Sequence, residues 1–318
     1  MKKVFVTGGS GTVGEAFIKK YRNEYVFYSF SRNEKMQVAL KRRYPEVNII
    51  LGSVDDKLAL HTSIQKIMPD IIVHAAAMKH IDSAEVSPIS AVKSNIIGSL
   101  NIIDAAHKFE IPTTVGVSTD KAAQPDSNYG QTKALMEKMF LEANSQYSKF
   151  PVCRFGNVSH SHGSVIPYWL SLRAQNKPLP LTDPRMNRLI ISREASADLV
   201  HGAIELSFNN AGPFILSKSM KSVNMKELAQ LISDDIVHVG LRPGEKLNET
   251  LISTKELKYT FCEGEKIIIR NYENEGNNKL KEEYNSANAE FMGIDEMLML
   301  ISDTDNAMSE TRLKRKVY

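Results

Sequence analysis

Cysteine is nearly absent from this chain: 318 residues include two, Cys153 and Cys262. Two thiols build neither a disulfide framework nor a zinc site. Cys153, in the apolar run Pro151-Val152-Cys153, reads as an inert buried thiol. Charge of one sign is also lacking. Forty basic residues against 37 acidic ones leave +3, too little to argue for a nucleic-acid partner. The short basic stretch Arg312-Leu313-Lys314-Arg315-Lys316 reads as a solvated terminus. No run approaches the ~18 apolar residues of a membrane span. Lys2-Lys3-Val4-Phe5-Val6-Thr7 is too short for the apolar part of a secretory signal and turns glycine-rich at once. These absences imply a reduced, cytoplasmic protein with no membrane span. Repeats and low-complexity blocks are missing too. What remains is an ordinary globular composition, 42% hydrophobic and 24% charged, whose function must be sought in local motifs.

The first half alternates two kinds of segment. Apolar runs at 4–6, 25–30, 47–51, 71–74, 113–117 and 152–155 are separated by amphipathic stretches at 15–22, 58–67, 92–107 and 130–143. Short apolar strands between helices predict an α/β fold, a Rossmann-type doubly wound parallel sheet. The second half loses this rhythm. Pro167, Pro178, Pro180 and Pro184 punctuate it, and apolar segments such as 228–232 and 267–270 are short and scattered. The expected division is a cofactor-binding domain at 1–157, to which 190–215 returns, and a smaller mixed α/β substrate domain at 158–318.

Thr7-Gly8-Gly9-Ser10-Gly11-Thr12-Val13-Gly14 follows the first strand and opens the first helix. Gly8, Gly11 and Gly14 allow a tight turn, close approach of a pyrophosphate and close helix–strand packing. The helix amino end, with Ser10, Thr12 and Val13, offers free N–H groups to that anion. The second strand ends in Ser31-Arg32-Asn33, with no carboxylate to receive an adenosine ribose. Arg32 can fork onto a 2′-phosphate, so the expected cofactor is NADP rather than NAD. Ser53 and Val54, after the third strand, are placed at the adenine.

Tyr129 and Lys133, four residues apart, put a phenol and an ammonium on one helix face. Such a pair can take the proton of an alcohol during its oxidation. Ser118-Thr119-Asp120-Lys121 adds a second acid and a second base just upstream, and elimination of water beside a new ketone calls for both. The assignment carries a difficulty. Lys121 must be neutral to act as base, and Asp120 protonated to act as acid, against ordinary pKa values of ~10.4 and ~3.9. An ion pair would oppose both. The roles hold only if burial wins, or if the two side chains point apart. His80, His160 and His162 have no acid or cysteine to complete a metal site and read as loop residues. Trp169, Met136 and Met139 read as packing.

With these residues placed, the chain resembles the extended short-chain dehydrogenase/reductases over nearly its full length. Within them it is similar to the soluble UDP-N-acetylglucosamine 4,6-dehydratases that invert C5. The matching stretches are Ala75-Ala76-Ala77-Met78-Lys79-His80, Ser118-Thr119-Asp120-Lys121-Ala122, Tyr129-Gly130-Gln131-Thr132-Lys133, Arg154-Phe155-Gly156-Asn157-Val158 and Leu241-Arg242-Pro243-Gly244-Glu245-Lys246. Retaining relatives generally carry Asp-Glu where this chain has Asp120-Lys121. Membrane-anchored ones often lack the tyrosine and have spanning helices. Ser53 stands where the family usually has an acid, and Leu189-Ile190 where it has an aromatic pair.

The resemblance implies C4 oxidation with Tyr129 taking the hydroxyl proton, hydrogen-bonded by Thr119. Lys121 then removes the C5 proton, Asp120 assists loss of the C6 hydroxyl, the stored hydride returns to C6, and C5 is reprotonated from the opposite face. Ionising Tyr129 near neutrality needs a drop of about two to three pH units from ~10, for which Lys133 and the oxidised nicotinamide are the expected sources. Ala75 joins the cofactor set. Asn157, Arg188 and Arg242 are expected at the diphosphate, Lys79 over the sugar or diphosphate, and Val158 among the substrate-binding residues. Glu245 falls to the uridine ribose, with Thr182, Val165 and Pro167 beside the uracil. A homo-oligomer is implied, through the helices at 92–107 and 130–143. The rival readings are a UDP-sugar 4-epimerase and a non-catalytic NADP-binding regulator.

Overall fold

The computed structural model describes residues 1–209 and 212–302; the basic stretch at 312–316 lies outside them. Hydrophobic β-branched runs bounded by helices assemble a nine-stranded sheet. Its seven parallel strands are β1 (Lys2–Thr7), β2 (Tyr25–Ser31), β3 (Asn48–Leu51), β4 (Ile71–His74), β5 (Thr113–Val117), β6 (Val152–Cys153) and, further along the chain, β10 (Phe214–Lys218), in the order 3-2-1-4-5-6-10. Every residue of β4 and β5 is buried, as helices on both faces of a parallel sheet require. The connecting helices are α1 (Thr12–Tyr21), α2 (Glu34–Arg43), α3 (Lys57–Ile67), α4 (Ile81–Val86), α5 (Pro88–Val92), α6 (Gly98–Lys108) and α7 (Asn128–Ala143). Strand order reverses between β1 and β4, and the crevice at their carboxyl ends is where such sheets bind ligands.

Three features depart from the periodicity. The charged helix α2 buries only Gln37 and Leu40, too little apolar face to mark it in the sequence. The stretch at 92–107 is one long helical path through α5 and α6, but with a π-helical turn at Lys93–Ile97. Residues 267–270, assigned above to the second domain, are instead part of an antiparallel hairpin, β14 (Thr260–Glu263) with β15 (Lys266–Arg270), that extends the large sheet beyond Phe214–Lys218. The reason is burial: Ile267, Ile268 and Ile269 are all covered there.

The remaining chain builds three small sheets. β7 (Asn157–Val158), β9 (Asn187–Ile191) and β11 (Lys221–Asn224) form one; β8 (Leu179–Leu181) pairs with β12 (Ile236–His238); β13 (Thr250–Ile252) pairs with β16 (Tyr284–Asn285). A second core around Trp169, Leu179, Leu181, Leu228 and Ile232 belongs to this part. The Trp169 indole donates to the Pro180 carbonyl (3.0 Å). Among the described residues no helix is long and apolar enough to cross a membrane.

Candidate active site

The turn between β1 and α1 is shaped by what its glycines avoid. Gly8 has φ +68°, and a Cβ there would stand 2.8 Å from the Ala76 amide nitrogen. A Cβ on Gly14 would stand 2.5 Å from the Gly8 carbonyl. Gly11 caps α1 without a side-chain hydrogen bond to its first turn, which leaves N–H groups directed at the crevice. A dinucleotide pyrophosphate fits this cradle. Ala75 anchors the other wall, donating to the Thr7 carbonyl (3.1 Å). The Thr12 hydroxyl accepts the His162 N–H (3.0 Å) and pairs with that imidazole, while Lys79 donates to the His162 carbonyl (2.9 Å). The segment around 162 therefore crosses the amino end of α1.

At the end of β2, Ser31 accepts from Ser10 (3.2 Å) and Arg32 is exposed. Asn33 is used differently from expectation. Its side chain caps α2, accepting from the Met36 N–H (3.1 Å), so it serves the helix. Ser53 donates to Asp55, which puts a carboxylate two residues past the position where the family usually has one. Val54 is buried and its carbonyl accepts from Asn101 (3.0 Å).

The Asp120-Lys121 turn and the Tyr129 helix are brought together by close backbone approach. Thr119 ends the segment after β5, Asp120–Ala122 form a 3-10 turn, and α7 begins under the Ser127 cap. The two motifs touch because residue 130 is glycine: a Cβ there would stand 2.5 Å from the Lys121 carbonyl. Asp120 is buried; its Oδ1 accepts from Thr119 Oγ1 (2.9 Å) and from Lys121 Nζ (3.0 Å). Its Oδ2 has no hydrogen-bond partner among the described residues. The Lys121 side chain is 12% exposed, so Asp120-Lys121 is an enclosed ion pair and neither a solvated turn nor two side chains pointing apart.

Tyr129 and Lys133 are both buried on α7. Burial pushes the Tyr129 phenol up to about 12; Lys121 pulls it down, Asp120 pushes it up, and a hydrogen bond with Thr119 lowers it. The cation acting on Tyr129 is thus Lys121, where Lys133 was expected. Burial instead lowers Lys133 itself to about 8, against the pull of Glu137. Burial works to lower Lys121 as well, but the carboxylates of Asp120 and Glu249 outweigh it and hold the amine above its ordinary value.

Two residues of the site carry no signal in the sequence. Asn95, in the π turn, accepts from the Met78 N–H (2.8 Å) and donates to the Met78 carbonyl (3.1 Å) and Thr132 Oγ1 (3.0 Å). It fastens the wall after β4 to α7. Glu249, just before β13, places Oε1 3.6 Å from Lys121 Nζ.

The loop that carries residues 242–246 packs over the amino end of α7. Gly244 has φ +77°, and a Cβ on it would stand 2.9 Å from Ser127 Cβ. Lys246 pairs with Asp126 (2.9 Å). Arg242 pairs with Asp82 (2.7 Å) and its N–H donates to Glu245 (3.2 Å). Arg188 is committed to the chain: it donates to the carbonyls of Asn187 (2.8 Å), Leu247 (3.1 Å) and Lys246 (3.0 Å). Asn157 donates weakly to the Leu189 carbonyl (3.4 Å). Asn157, Val158, Val165, Pro167 and Thr182 are half-buried.

Residues 4–271 match a family described as Polysaccharide biosynthesis protein. The chain belongs to that family. This family member is 34% identical over 272 residues to the UDP-N-acetylglucosamine 4,6-dehydratase (inverting) of Campylobacter jejuni, covering 82% of this chain and 80% of that one. It is 32% identical over 343 residues to the UDP-glucose 4-epimerase of Rickettsia bellii, covering 98% of both. Among solved structures, Pen from Bacillus thuringiensis superposes with a TM-score of 0.87 at 27% identity, covering 94% of this chain and 96% of that one. The fold is the Rossmann fold of the short-chain dehydrogenase/reductases.

Proposed function

We propose that this chain is a UDP-N-acetylglucosamine 4,6-dehydratase that inverts C5 and uses NADP. The carrying observation is the enclosed Asp120-Lys121 pair packed against the Tyr129 helix, with Asp120 Oδ2 unpartnered among the described residues. A 4-epimerase has no use for an acid and a base at C5 and C6.

Gly8, Gly11, Gly14, Ser10, Thr12, Val13, Ser31, Arg32, Ser53, Val54 and Ala75 would hold the dinucleotide. When bound, it supplies a hydride acceptor for C4, a donor for C6 and a positive ring that favours the phenolate. Tyr129 receives the C4 hydroxyl proton, and Thr119 orients that oxygen. The pairing of Asp120 with Lys121 then becomes useful. Moving one proton from Lys121 Nζ to the aspartate breaks one N–H bond and forms one O–H bond. It yields at once a free amine for the C5 proton and a carboxylic acid for the C6 hydroxyl. Exclusion of water favours this neutral pair over the ionic one, so substrate closure drives the exchange. The C5 proton passes to Lys121, and the C6 hydroxyl leaves as water with the Asp120 proton.

Lys79, Arg242 and Glu245 would contact the sugar nucleotide. We propose a homo-oligomer through the helices at 92–107 and 130–143, because Val92, Ile97, Leu100 and Leu135 stand exposed on them.

The test is incubation with UDP-N-acetylglucosamine in deuterated water, with NMR of the product. A 4-keto-6-deoxy sugar with deuterium at an inverted C5 supports the reading. The match to the Rickettsia bellii epimerase across 98% of both chains favours a second reading, UDP-sugar 4-epimerase. A C4-inverted hexose with an intact C6 hydroxyl would establish it.

A further inference from the structure

The strand β13 delivers a carboxylate to Lys121 that the chemistry above leaves without a task. Glu249 is 3% exposed, and its backbone is fixed on both sides. Its N–H donates to Ser286 Oγ (3.0 Å) and its carbonyl accepts the Ser286 N–H (2.9 Å). Two and three residues upstream, Arg188 ties down the carbonyls of Leu247 and Lys246. The carboxylate so placed stands 3.6 Å from Lys121 Nζ, whose other contact is Asp120 at 3.0 Å. Enclosing a carboxylate beside a second one is costly unless cations face both. Lys121 and Asp120 on the 3-10 turn, Arg188 on β9 and Lys246 on the preceding loop are the charged groups that act on it; Tyr129 faces the same lysine from α7.

We infer that Glu249 is a positioning residue for Lys121, holding its nitrogen against Asp120 and setting how tightly that nitrogen keeps a proton. The inference rests on the proposed dehydratase reading for its meaning. A lysine flanked by two carboxylates is a stronger base once it has lost its proton. It is also a less populated one at neutral pH. For a carbon acid beside a ketone, base strength is the scarcer quality. Asp120 takes the proton, and Glu249 stabilises the ammonium that forms when the C5–H bond breaks. No further reactant is needed.

Two measurements test this. The first titrates the Lys121 side chain of the ligand-free protein by NMR with carbon-13-labelled lysine, assigned with Lys121→Arg. Glu249→Gln should move the midpoint down by about one pH unit or more, since an enclosed charge at this range is worth that much. Glu249→Asp, which keeps the charge, should stay near wild type. Equal midpoints in wild type and Glu249→Gln, or an aspartate variant that behaves like the glutamine one, would overturn the inference. Dinucleotide binding reports folding of each variant. If Glu249→Gln binds none, the wild-type midpoint decides: the inference requires it above the ~10.4 of free lysine, and a lower value refutes it. The second follows C5 deuterium uptake from UDP-N-acetylglucosamine against pH. Glu249→Gln should show its rising limb at lower pH and a slower plateau, a pairing that mere loosening of the fold would not produce. Absence of uptake in wild type would sink the dehydratase reading while leaving the lysine titration to judge Glu249.

Discussion

Lys121 and Gly130 meet backbone to backbone: the carbonyl of the first lies 2.5 Å from where a Cβ on the second would begin. Helix propensity alone would favour alanine at 130 by ~1 kcal/mol. Overpacking against a fixed carbonyl costs ~1–3 kcal/mol and should win. Gly130→Ala is therefore expected to lower stability in a denaturant titration. It should reduce turnover beyond that loss, because relief comes by moving the turn that carries Asp120.

Lys121→Ala should abolish C5 deuterium uptake while dinucleotide binding persists. The same change removes the cation that pulls the Tyr129 phenol down from higher values. Phenolate absorbance in a pH titration should then show Tyr129 ionising at higher pH than in wild type. Full C5 exchange in the variant would remove Lys121 from the role of base.

Lys133 makes a stability prediction with a definite sign. Its folded-state value of about 8 lies below the ordinary 10.5, so between those values the unfolded chain binds more protons. Stability should rise with pH across that window. Below it the buried ammonium costs up to about 3 kcal/mol, by the conversion of ~1.4 kcal/mol per pH unit. Lys133→Met should accordingly be the more stable protein at pH 7. The gap in urea midpoints should close as the pH approaches 10.5, and the variant should lack turnover. A methionine variant that is less stable at pH 7 would contradict the burial argument.

Arg32→Ala tests the cofactor preference. Loss of a charge-assisted fork costs ~1.5–3 kcal/mol. NADP affinity should fall about 10- to 100-fold, and NAD affinity should hardly change. Equal weakening of both would assign Arg32 to a general role and reopen the choice.

Leu100→Asp and Leu135→Asp test the exposed apolar face. Each should shift the sedimentation behaviour of an assembled protein toward the monomer, without a change in secondary structure.

Much of the architecture was legible because parallel strands, buried on both faces, read as short apolar runs: β4 and β5 coincide with 71–74 and 113–117. The glycine turn was equally plain, since each glycine answers a specific clash. What escaped was set by distant chain. The burial of 267–269 depends on pairing with Phe214–Lys218. The π turn ends at Gly98, and a single glycine within an apolar helical stretch does not distinguish a π turn from an ordinary one. Glu249 follows Asn248 in a stretch with no spacing signature, and meets Lys121 only through the pairing of β13 with β16. Arg188 and Arg242 stood out as cations for phosphate; the sequence did not show that Arg188 also braces the carbonyls of Lys246 and Leu247, or that Arg242 pairs with Asp82. Sequence shows which charges exist; tertiary contacts decide which are spoken for.

Arg154, wholly enclosed, joins Glu137 of the catalytic helix (2.6 Å) to Glu256 (2.8 Å) and to the Leu251 carbonyl (3.0 Å). Breaking such a buried cluster on one side costs ~3–5 kcal/mol, so α7 and the strand behind Glu249 must travel as one body. The Asp120-Lys121 turn, packed between the two, is thereby seated on a base that resists displacement.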